Sequence, residues 1–116
     1  MDKIVSYVAG LGIPGLIFLT IISTTGLSGA AAYTAALATI GPGGMLGGLV
    51  TLGAIGLISE GLTKYGFDAI FNASVKELYK RGENKESILK KIEKYPVTNE
   101  LKIKLSDSLN KISSEN

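Results

Sequence analysis

A chain of 116 residues is long enough for one domain, and its 12 Lys+Arg against 10 Asp+Glu leave a net charge of only +2. That balance, with no clustered basic stripe, excludes an electrostatic nucleic-acid binder. There is no Cys and no His, which excludes disulfides, thiolate metal sites and thiol nucleophiles and removes the commonest general base. No catalytic, cofactor-binding or metal residue is assigned, and the chain is not read as an enzyme.

The charge is unevenly placed. No Asp, Glu, Lys, Arg or His occurs in the 56 residues from Ile4 to Ser59, which hold 12 of the 15 glycines. A domain this small keeps a large surface relative to its volume, so half of its length cannot all be hidden inside it. The uncharged half is therefore expected to meet lipid, another protein or copies of itself.

The first apolar segment runs from Ile4 to Ile22, with 11 Ile, Leu, Val or Phe in 19 positions. That is close to the ~20 residues of a membrane span. Its length and the acidic Asp2 argue against a cleaved signal peptide, although Ser28-Gly29-Ala30 has the small-x-small form of a cleavage site. Pro14 removes an amide donor, so it is expected to kink or restart the helix within Gly10–Gly15. Ser23–Gly26 reads as a turn. A second segment, Leu27–Ile40, is rich in Ala, and Gly41-Pro42-Gly43-Gly44 breaks the chain again. The third segment is Met45–Ser59. Gly41–Gly48 lacks the Lys and Ser/Thr of a phosphate-binding loop, so nucleotide binding is rejected.

Small residues recur four apart at Gly26 and Ala30, Gly43 and Gly47, and Gly44 and Gly48. In lipid, such faces let two helix backbones approach closely, so these six are the candidate self-association residues. Pro42, like Pro14, is the candidate helix break.

From Glu60 onward the pattern is amphipathic. Lys64, Tyr65 and Phe67 stand where the basic and aromatic belt of a membrane–water interface would fall. Phe67, Ile70, Phe71, Ser74 and Leu78 recur at helical spacing, and Gly82 is a stop. Asn84 can cap a short helix carrying Ile88, Leu89 and Ile92, which Pro96 ends. Thr98 or Asn99 can cap a last helix with Leu101, Leu105, Leu109 and Ile112 on one stripe.

The Ala-rich run Gly26–Ala38, the glycine cluster Gly41–Gly48 and Gly53-Ala54-Ile55-Gly56 resemble, by composition, the glycine-rich interferon-alpha-inducible small membrane proteins. The resemblance covers Gly26 to Ser59, and the charged tail departs from it. It implies association with an organelle membrane and a part in cell death or antiviral defence.

The expected fold is all-α. A glycine-rich hydrophobic hairpin (two spans or three short helices) is followed by an amphipathic helix and a short charged hairpin, with the division at 1–59 and 60–116. The expected function is membrane integration with self-association, perturbing or permeabilising a bilayer as a defence or cell-death effector. The expected partners are a lipid bilayer, further copies of the chain and a protein reached through the tail. Lys3 and Lys64 flank the uncharged half, so both ends are expected on the cytoplasmic side. The alternatives are a soluble helical interaction or oligomerisation protein, and a secreted bacteriocin-like peptide cut near Ala30.

Overall fold

The computed structural model describes residues 1–24, 52–95 and 97–115, and among them the fold is all-helical with no strand. The helices are α1 (Asp2–Leu11), α2 (13–24), α3 (Leu52–Tyr65), α4 (Phe67–Lys80), α5 (Lys85–Lys94) and α6 (Asn99–Glu115). Gly26, Ala30, Gly43, Gly44, Gly47, Gly48 and Pro42, like Pro96, lie outside the described residues.

The segment Ile4–Ile22, expected as one span, is divided between two helices. The break falls at Gly12, within the expected Gly10–Gly15 window. Gly12 has φ 77°, a conformation that glycine alone adopts without steric cost. Its N–H donates to the Ala9 carbonyl at 3.0 Å, closing α1, and its own carbonyl accepts from the Gly15 N–H at 3.0 Å. Pro14 lies in the first turn of α2, where the amide it lacks would have had no helical partner. It therefore starts a helix. No helix among the described residues is long and apolar enough to cross a membrane.

The boundary between Ser59 and Glu60 falls inside α3, which runs on to Tyr65. Gly66, with φ 88°, separates α3 from α4, and its N–H donates to the Leu62 carbonyl at 3.0 Å.

α4 buries Ile70, Phe71, Ser74, Val75 and Leu78, the face that the spacing defines. It ends at the expected glycine. The Glu83 N–H reaches the Leu78 carbonyl (3.0 Å) and the Gly82 N–H reaches Tyr79 (3.1 Å), with Gly82 at φ 103°. This is the double bond of a Schellman stop.

The next two helices begin where the side chains predict. Asn84 accepts from the Ser87 N–H at 2.8 Å, and the Ser87 hydroxyl accepts from the Asn84 N–H at 2.9 Å, a reciprocal capping box. The Thr98 hydroxyl accepts from the Leu101 N–H at 3.2 Å at the start of α6.

Packing joins the two halves of the sequence. α1 lies against α4 and α3, α4 also meets α3 and α6, and α5 pairs with α6. One apolar cluster extends from Ile4, Val8 and Ile17 through Ile70 and Phe71 to Ile92, Leu105 and Leu109.

Candidate functional site: an uncharged helix enclosed by the fold

α2 is the least ordinary of the described elements. Every residue from Gly15 to Ile22 is buried. Leu16, Ile17 and Leu19 are fully inaccessible, and Phe18 is 1% exposed. A surface helix hides one stripe, whereas a helix apolar on all sides must be enclosed or lie in lipid. Enclosing each large side chain contributes about 1.5–3 kcal/mol relative to leaving it in water. The polar groups of α2 are answered within the helix. The Thr20 hydroxyl donates to the Leu16 carbonyl at 2.8 Å, and the Ser23 hydroxyl donates to the Thr20 carbonyl at 2.7 Å.

Two glycines let neighbouring elements come this close. A Cβ on Gly15 would fall on the Val8 carbonyl and lie 3.1 Å from Leu11 Cβ. A Cβ on Gly61 would strike Ile4 Cδ1 and lie 3.2 Å from Ile70 Cδ1, so Gly61 is the point where α1, α3 and α4 meet. Gly61 did not stand out in the sequence, and Gly15 did so only as part of the Gly10–Gly15 break, because apolar periodicity marks side chains that pack and not the gaps they fill. Ser74 is fully buried on α4, and its Oγ has no hydrogen-bond partner among the described residues.

The expected interface residues Lys64, Tyr65 and Phe67 sit where α3 turns into α4, and they separate by environment. Tyr65 is 37% exposed and accepts a hydrogen bond from the Met1 ammonium at 3.2 Å. The Lys64 ammonium stands 5.4 Å from its ring centre. The bond from the amino-terminal ammonium, then the Lys64 ammonium, holds the Tyr65 phenol below its ordinary pKa. Phe67 turns inward instead. It is half-buried, tilts at 32° against Phe71 with ring centres 5.2 Å apart, and carries the Lys104 ammonium 5.2 Å from its own ring centre.

Among the described residues no group of His, Cys, Asp or Glu could hold a metal ion. The arrangement encloses an apolar helix, and a basic, aromatic corner forms where α3 turns into α4. No family model, curated protein or solved structure matches the chain.

Proposed function

We propose that this protein is a small, self-associating, membrane-active helical protein that carries an uncharged helix sheathed by its charged helices and delivers it to a bilayer. The complete burial of α2 within a fold of short helices carries this reading. The acyl interior of a bilayer and a protein interior are both apolar surroundings, so α2 can exchange one for the other with its side chains out of water throughout. Lys64 and Tyr65 suit the headgroup level during that exchange. The amphipathic helices α4–α6 stay on the cytoplasmic face. The compositional likeness of Gly26–Ser59 to the interferon-inducible membrane proteins agrees with a role in perturbing membranes during defence or cell death.

The same burial favours a second reading, a helical interaction protein that keeps α2 enclosed and never meets lipid. Cleavage near Ala30 fits less well with this core, because it would remove α1 and α2 from their packing against the rest.

The chain has no Trp, so Phe18→Trp introduces a single fluorescent reporter into α2. On the proposed reading, vesicles with brominated acyl chains quench this tryptophan, and a fraction of the protein resists alkaline carbonate extraction. Emission indifferent to the bromine, together with full recovery in the carbonate supernatant, selects the interaction protein.

A further inference from the structure

Among the described residues two polar side chains are buried in the core, Thr20 on α2 and Ser74 on α4. The fold treats their hydroxyls differently. Thr20 donates to the Leu16 carbonyl, one turn earlier, at 2.8 Å. That bond lies within α2, so the helix keeps it in any surroundings. Ser74 Oγ could donate to a carbonyl of its own helix in the same way. Instead it has no hydrogen-bond partner among the described residues. Nearly all buried polar groups in folded proteins are partnered, and one left alone raises the free energy of the state that buries it.

Two contacts place Ser74 at the joint between the halves of the chain. The Met1 ammonium donates to the Tyr65 hydroxyl, just before the start of α4 at Phe67. Ile4 and Ile70 converge on Gly61. α1 and α4 therefore begin side by side. The inner positions one turn further along are Val8 of α1 and Ser74 of α4, both fully buried. When α1 parts from α4, water reaches this level and supplies the partner that the Ser74 hydroxyl lacks. Parting also exposes apolar surface, so the closed fold predominates. The hydroxyl sets how often the joint opens.

We propose that Ser74 is a built-in weak point of the α1–α4 joint, which raises the frequency with which α1, and α2 after it, part from the charged helices. The Thr20 and Ser23 hydroxyls bond within α2 and lose nothing on leaving. The Ser74 hydroxyl gains a bond, so side-chain hydrogen bonding on both sides of the joint favours opening. That the opening serves delivery of α2 rests on the function proposed above; the opening itself needs no lipid.

Native-state hydrogen exchange of the full-length chain, followed amide by amide in one buffer or one detergent throughout, tests the proposal. Ser74→Ala removes the hydroxyl and keeps the side chain small. Alanine also favours a helix, so Ser74→Cys is measured beside it under reductant. Its thiol is a weak donor, behaves as a small apolar group and is no better a helix former than serine. In both variants the amides of α1 and α2 should exchange roughly tenfold more slowly, as the removal of one orphaned polar group predicts. Those of α5 should be unchanged. Unchanged exchange in α1 and α2, slowing in the alanine variant alone, or equal slowing in every helix would overturn the proposal. Vesicle binding of the same proteins is read separately. A wild type that ignores vesicles, with α1 and α2 slowed as expected in the variants, removes the delivery function and supports the joint.

Discussion

Gly10 and Gly15 lie five residues apart in the same uncharged run, and the fold treats them in opposite ways. Gly10 is exposed in α1, and a Cβ there would meet nothing within 4 Å. Alanine at that position narrows the unfolded ensemble without a clash, so Gly10→Ala should stabilise the protein by about 0.5–1 kcal/mol. Gly15 is buried where α2 crosses the Val8 carbonyl. Backbone cannot yield as the tip of a side chain can, so Gly15→Ala should cost about 3 kcal/mol. Urea unfolding midpoints of the two variants measure the contrast. Similar shifts of the same sign would mean that α1 and α2 do not meet at this point.

At the scale of single elements, α5 depends most on its own ends. Its ten residues are too few for a stable isolated helix. Asn84 and Ser87 satisfy its first amides, and Ser87 also donates to Glu83 Oε1 at 2.6 Å. Lys91 donates to the other carboxylate oxygen of Glu83. The Lys91 bond, then the Ser87 bond, holds the Glu83 carboxyl below its ordinary pKa. Since Lys91 is half exposed, this pair adds little stability. The cap contributes more. Asn84→Ala should remove about 1 kcal/mol, seen as a fall in melting temperature of about 4 °C. A melting temperature equal to the wild type would assign the start of α5 to packing of Ile88 and Ile92 rather than to the cap.

Across the whole molecule, the charged helices and the uncharged helix share one core, so damage to one should release the other. Leu105 of α6 is fully buried in that cluster. Leu105→Asp removes its packing and places a carboxylate among apolar side chains, at a cost well over 3 kcal/mol. That is a large part of the ~5–15 kcal/mol by which domains are stable. Helical circular dichroism in buffer should fall. On the sheathing proposal, the fraction bound to vesicles should rise, because α2 is less firmly enclosed. Vesicle binding that stays the same while the helical signal falls would show that α6 is no part of the sheath.

The limits of the elements on the charged side were legible in the sequence. Gly82 stops α4, Asn84 opens α5 and Thr98 opens α6 because each acts through groups only a few residues away. The buried stripes of α4, α5 and α6 were legible for the same reason, since helical spacing alone assigns Ile70, Ile88 and Leu105 to inner faces. The uncharged half gave composition but no face, because a helix apolar on every side has no pattern to read. Its first break, expected within Gly10–Gly15, falls at Gly12, where a positive φ is tolerated, and Pro14 fits the helical turn that follows. The spacing of apolar residues by itself pointed to an all-α fold, as the described residues show, and the uncharged run from Ile4 to Ser59 set one half of the chain apart from the charged tail. Only the tertiary structure decided that α2 is covered by protein and that Gly15 and Gly61 are the points of closest approach. The physical reason is that burial beneath another helix and burial in lipid relieve the same apolar surface, and nothing in the local order of residues distinguishes them.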